Sequence, residues 1–92
     1  MDEAVARATR RTLVGQYLTE VSLLAKALCP EAHVEATTES YEDEDGHVRI
    51  YPPAGLQEGQ ITELEGKIAE RCVAILVDTG VFLCAAVYEP DM

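Results

Sequence analysis

Apolar residues recur along the first third of the chain at Val14, Tyr17, Leu18, Val21, Leu24, Ala25 and Leu28. A spacing of three and four puts them on one side of an α-helix, so Ala4 to Leu28 is expected to be helical, with Arg10, Gln16, Glu20 and Lys26 outside. The stripe weakens before Arg10, which predicts fraying over residues 1–9. Pro30 ends the helix, because it has no amide hydrogen and its ring collides with the preceding turn.

From Ala32 the period drops to two. Val34, Ala36, Thr38 and Ser40 fall to one side, and His33, Glu35, Thr37, Glu39 and Tyr41 to the other. Alternation resumes over His47, Val48, Arg49, Ile50 and Tyr51, and such a pattern predicts strands. Between them, residues 42–46 form an acidic tip, and Asp45-Gly46 is a hairpin signal because glycine accepts the positive φ of tight turns. Pro52-Pro53 stops the second strand, since proline cannot donate to the ladder.

Residues 54–59 are expected to be a loop, and Thr62 to Glu65 fits the pattern in which a hydroxyl and a carboxylate satisfy free amides at a helix start. Ile61, Leu64, Ile68, Cys72, Ile75 and Leu76 then make a buried stripe, with Glu63, Lys67, Glu70 and Arg71 outside. Gly80 suits the left-handed conformation that closes many helices. Val81 to Tyr88 is apolar at every position, the pattern of a strand buried on both faces.

The expected fold is therefore α+β, in the order α-β-β-α-β, with a three-stranded antiparallel sheet and two helices packed mainly on one face. A right-handed crossover through the second helix places the last strand beside the first, giving the order second, first, third. Were the last strand central instead, it would have to pair with another copy. The 92 residues suffice for one hydrophobic core, so residues 1–92 are a single domain.

Composition adds the surface. The chain is 48% hydrophobic and 26% charged, with only five aromatic residues (four Tyr, one Phe) and no Trp, so aliphatic side chains must fill the core. Its net charge is −10, unevenly spread: residues 1–30 carry four basic and three acidic groups (+1), and residues 31–92 three basic and fourteen acidic (−11). Such a surface repels phosphates and anionic lipids, so direct nucleic-acid or membrane binding is not expected unless Arg7, Arg10 and Arg11 form an isolated patch. Neither apolar run, Cys72 to Val77 or Val81 to Tyr88, approaches the roughly 20 residues of a spanning helix. An acidic opening (Asp2, Glu3) without a following apolar stretch gives no secretory signal, and a cytoplasmic setting is expected.

No catalytic motif, glycine-rich loop or metal-spaced cluster stands out, so neither catalytic residues nor a cofactor or metal is assigned. Cys29, Cys72 and Cys84 lie in or beside apolar patterns and are expected to be buried thiols that no spacing brings to a histidine. Asp43, Asp45, Gly46 and Val48 imitate the middle of a calcium-binding loop, but the alignment puts Tyr41 and Pro52 where carboxylates are required. His33 and His47 fall near opposite ends of the hairpin and are not expected to share a metal. His47, beside Asp45, is expected to be exposed and without a partner, or else to titrate near neutrality.

What is left is surface chemistry. Tyr41, Arg49 and Tyr51 are expected to share a hairpin face with His33, Glu35 and Glu39, and Tyr and Arg dominate protein interfaces. Cross-strand pairing alone also accounts for them. Seven carboxylates between Glu31 and Asp45, including Glu35, Glu39, Asp43 and Asp45, form an acidic crest. It serves either as a solvated face or as a docking surface for a basic protein partner. In the last strand, either Val81, Leu83, Ala85 and Val87 or Phe82, Cys84, Ala86 and Tyr88 must line an open sheet face. A contiguous apolar patch of that kind points to a homodimer, with Phe82, Cys84, Ala86 and Tyr88 as candidate interface residues. The alternative is that the first helix wraps round and shields the strand.

The expected function is a non-enzymatic, homo-oligomeric protein-interaction domain. Its rival is a small-molecule or enzymatic pocket at a subunit interface, built from His33, Arg49 and Tyr51.

Overall fold

The computed structural model describes residues 3–38 and 44–88, with the side chains of the first helix described from Arg10 onward. The chain forms α1 (Glu3–Leu28), β1 (His33–Thr37), β2 (Gly46–Tyr51), α2 (Glu58–Thr79) and β3 (Leu83–Val87), the order expected. At the end of α1 the Lys26 ammonium turns back to donate to the carbonyls of Pro30 (3.0 Å) and Ala32 (2.6 Å), closing the chain reversal that Pro30 starts.

α2 begins a turn before Thr62. Gln57 is its N-cap, and the Gln60 side chain accepts from the Gln57 amide at 3.0 Å, so the glutamine pair supplies the reciprocal cap expected of Thr62 and Glu65. At the other end Gly80 has φ 77° and its amide donates to the Leu76 carbonyl, a left-handed stop.

The sheet is mixed, with strand order β1-β2-β3: β1 and β2 are antiparallel, and β3 runs parallel to β2. This corrects two expectations, the all-antiparallel sheet and the placement of the last strand beside the first. The 22 residues of α2 carry the chain back about 33 Å, so β3 starts at the same end as β2. Pairing with that neighbour in sequence needs no passage across the hairpin. β2 is the central strand instead, and β3 lies at an edge.

One sheet face is covered. Val14, Leu18, Val21 and Ala25 of α1 join Leu64, Ile68, Cys72 and Ile75 of α2 over Val48, Ile50 and Leu83, with Val34, Ala85 and Val87 at the margin. These are even-numbered positions in β1 and β2 and the odd-numbered positions of β3 that the register sets beside them, so they share one sheet face and both helices sit on that side. Leu76, expected in the buried stripe, is 40% exposed, because the core stripe of α2 runs through Ile75 instead.

The connection between β1 and β2 is longer than a tight turn. Thr37 pairs with His47, and Gly46 is the first residue of β2 rather than a positive-φ turn residue. Glycine is required there for another reason: a Cβ would stand 2.9 Å from Leu18 Cδ2, so α1 rests directly on this backbone. The tip residues Glu39, Tyr41, Glu42 and Asp43 lie outside the described residues.

Candidate functional site

Alternation assigns the remaining strand residues to the other sheet face, over which no described helix lies. The register arranges them in rows. His33 of β1 pairs with Tyr51 of β2, Glu35 with Arg49, and Thr37 with His47. Across the parallel pair, Arg49 aligns with Ala86 and His47 with Cys84. Tyr88, one residue past the Ile50–Val87 pair, falls beside Tyr51. The outer row is aromatic, the middle row holds Glu35, Arg49 and Ala86, and the inner row holds Thr37, His47 and Cys84.

Ring contacts hold the aromatic row together. Tyr51 and Tyr88 stack with centroids 5.1 Å apart and planes 15° from parallel, and His33 stands 5.9 Å from Tyr51 on the other side. Offset stacking of this kind aligns ring edges with ring faces and holds both rings in place. The tyrosines remain 36% and 42% exposed, so the stack leaves much of its surface to solvent. His33 Nε2 lies 3.1 Å from Glu35 Oε1, linking the aromatic row to the charged one.

Of the expected interaction residues, Glu35, Arg49 and Tyr51 thus come together on one face with His33. Tyr41, Glu39 and Asp43 lie outside the described residues. Phe82, Cys84, Ala86 and Tyr88 belong to the same face: Phe82 is 40% exposed and Cys84 is exposed. Two groups read separately from the sequence are therefore one surface. The apolar β3 is not enclosed on both sides, because it is an edge strand beneath helices that cover one face only. Its exposed positions are kept small by Ala86 and Cys84.

Asp45 does not stand out on an acidic tip. Its carboxylate accepts from Arg10 Nε (3.2 Å) and Nη2 (2.8 Å) and from the Phe82 amide (2.8 Å), while its own amide donates to the Phe82 carbonyl (2.6 Å). Arg10 also donates to the Gly80 carbonyl at 3.3 Å. Asp45 therefore pins α1, the start of β2 and the start of β3 together. Arg10, in the same contact, is withdrawn from any basic patch.

The histidine and cysteine expectations divide. His47 is half-buried with both ring nitrogens shielded from solvent, rather than exposed. Cys84 is its register neighbour on the same face, a proximity that sequence spacing could not show because the β2–β3 pairing is created by α2. Cys29 and Cys72 are buried as expected, whereas Cys84 is not. Burial pushes the Cys72 thiol up, and nearby Cys84 adds to the shift, so Cys72 stays protonated and unreactive near neutral pH. Among the described residues no group of three or more His, Cys, Asp or Glu is placed to hold a metal ion, and no helix is long and apolar enough to cross a membrane.

The molecule is thus a two-layer α+β domain with an aromatic and charged surface on the uncovered side of its sheet. No protein-family model, curated protein or solved structure matches the chain.

Proposed function

We propose that this chain is a homo-oligomeric, non-catalytic, cytoplasmic protein-interaction domain, and that the uncovered sheet face is where it meets another protein. The observation that carries this reading is the Tyr51–Tyr88 stack, ordered and still exposed, in the row next to Arg49 and Glu35. Tyr and Arg contribute most at protein interfaces because they bury large areas at low entropic cost. A stack already formed in the free protein lowers that cost further. The net charge of −10 favours a basic partner, for which the tyrosine faces offer cation–π contact and Glu35 a counter-charge.

The test is capture by the immobilised full chain and by its Tyr51→Ser/Tyr88→Ser variant from extract of the source cell, at low and at high salt. A partner held by the parent chain, absent from the variant and released as salt rises is the expected result. Identical bound sets for the two proteins, or binding indifferent to salt, overturn the reading. The rival pocket of His33, Arg49 and Tyr51 draws on the same face. It would show instead as saturable small-molecule binding lost on Arg49→Ala, with no captured protein.

A further inference from the structure

A second uncovered surface runs along the outer border of β3. β2 lies on one side of this strand and no described strand on the other. The Asp45 amide donates to the Phe82 carbonyl and the Tyr88 amide to the Ile50 carbonyl, so even-numbered residues of β3 turn toward β2. In a parallel pair the alternate residues face away, which sends the amides and carbonyls of Leu83, Ala85 and Val87 to the free edge. Such an edge is a template for another strand.

The helix above it is lopsided in the same direction. Facing α1, α2 carries Gln60, Glu63, Lys67, Glu70 and Arg71, tied across by the Glu20–Arg71 ion pair at 2.6 Å. Rotated past the core stripe toward the β3 edge, it carries Gly66, Ala69, Val73 and Leu76, with Glu65 and, two turns earlier in the first turn of the helix, Glu58 as its charged residues. Val73 is 58% exposed, Leu76 40%, and the adjoining Val77 77%. A cleft between Glu65, Ala69 and Ala85–Val87 joins the helix flank to the strand.

We infer that a second copy of this chain covers this border. The two β3 strands pair antiparallel about a two-fold axis, continuing the sheet from three strands to six, and the α2 flanks pack on each other above the junction. Charge selects the occupant. Two copies of a chain with net charge −10 repel wherever charged faces meet, and this border brings the fewest like charges together. An edge strand with an apolar helix flank is also self-complementary under a two-fold rotation, as an isologous interface must be. Its size suffices. A five-residue strand under four turns of helix makes a border roughly 20 Å long and, with a helix stacked on a sheet, about 20 Å tall. That is about 400 Å² in projection, which side-chain relief raises toward the roughly 600–800 Å² per partner of small specific interfaces. The inference rests on the homo-oligomeric part of the proposed function. It moves self-association from the open face to the sheet border, leaving both Tyr51–Tyr88 pairs free for another protein.

Sedimentation velocity on the full chain at tens of micromolar tests it. The parent chain is expected at twice its 10.0 kDa. Val73→Glu, at an exposed helical position, is expected to weaken dimerisation at least a hundredfold with unchanged circular dichroism. Ala85→Pro, which removes an outward amide but no bond to β2, should do the same; if it fails to fold, Val73→Glu alone decides. The Tyr51→Ser/Tyr88→Ser variant should remain dimeric. A dimer untouched by Val73→Glu overturns the border contact alone, and one dissolved by the tyrosine variant transfers it to the open face. A parent chain that is monomeric throughout overturns self-association altogether, while leaving the capture experiment to judge partner binding separately.

Discussion

Val48 and Arg49 are joined by one peptide bond and serve different ends. Val48 and Ile50 are 0% exposed beneath the helices, while Arg49 and Tyr51 stand on the face that no described helix covers. The covered face is built from side chains that gain by leaving water, and the uncovered one from groups stable either wet or buried. Folding is therefore assigned to one set of alternating residues, which leaves the other set open to selection for contact. The pleat of β2 keeps the two sets apart.

The sharpest way to break this comparison is to truncate one residue of each set in the same strand. Ile50→Ala is expected to cost about 2–5 kcal/mol, from lost transfer energy and the cavity left behind, measured by urea denaturation. That is a large share of the total stability of a chain of this size, for which about 0.05–0.15 kcal/mol per residue is usual. A loss below about 1 kcal/mol would show that the covered face is not packed. Next in size is Gly46→Ala. The new methyl would meet Leu18 Cδ2 at 2.9 Å, and Leu18 is 6% exposed and held by the core. Overpacking of about 1–3 kcal/mol follows. Adding Leu18→Ala should then cost less than the sum of the single changes, and strict additivity would remove the contact as the cause.

The contrast between the two faces was itself readable, because it depends on local period. Alternation over His33–Thr37 and His47–Tyr51 put Glu35, Arg49 and Tyr51 on one side before any pairing was known. Pro30 and Gly80 likewise marked helix ends through their own backbone chemistry. What could not be read was set by contacts distant in sequence. Asp45-Gly46 has the composition of a tight turn, yet Gly46 is demanded by Leu18, and Asp45 is claimed by Arg10 and Phe82. The unbroken apolar pattern of Val81–Tyr88 resembles a strand buried on both faces. Whether such a strand is central or at an edge depends on where α2 delivers it. That delivery also joins Tyr88 to Tyr51 and Cys84 to His47, so half of the candidate site was visible only once the sheet was closed.

On the uncovered face the comparison predicts a small stability change and a large functional one. Tyr51→Ser removes the stack with Tyr88 and is expected to cost roughly 0.5–1 kcal/mol, the scale of a cross-strand pair. Partner capture should nevertheless be lost. A loss as large as that of Ile50→Ala would make Tyr51 a core residue and end the division between the faces.

The smallest effect lies outside both faces, in the pair that joins the two helices. Hydrogen bonds from Arg71 hold the Glu20 carboxyl below its ordinary value of 4.5; burial opposes the shift and the Arg71 charge adds to it. A carboxyl with a depressed folded-state pKa binds protons more readily in the unfolded chain. Its stabilisation is therefore complete above about 4.5 and is lost as pH falls through the lower folded value. Arg71 and Glu20 are 39% and 43% exposed, so water and salt screen the pair and its contribution is slight. The difference in urea midpoint between the parent chain and Glu20→Gln should be small near pH 7 and close as the pH drops below 4.5. A difference that persists unchanged in acid would mean that Glu20 supports α1 and α2 by its shape. Charge would then have no part in holding together the layer that covers the sheet.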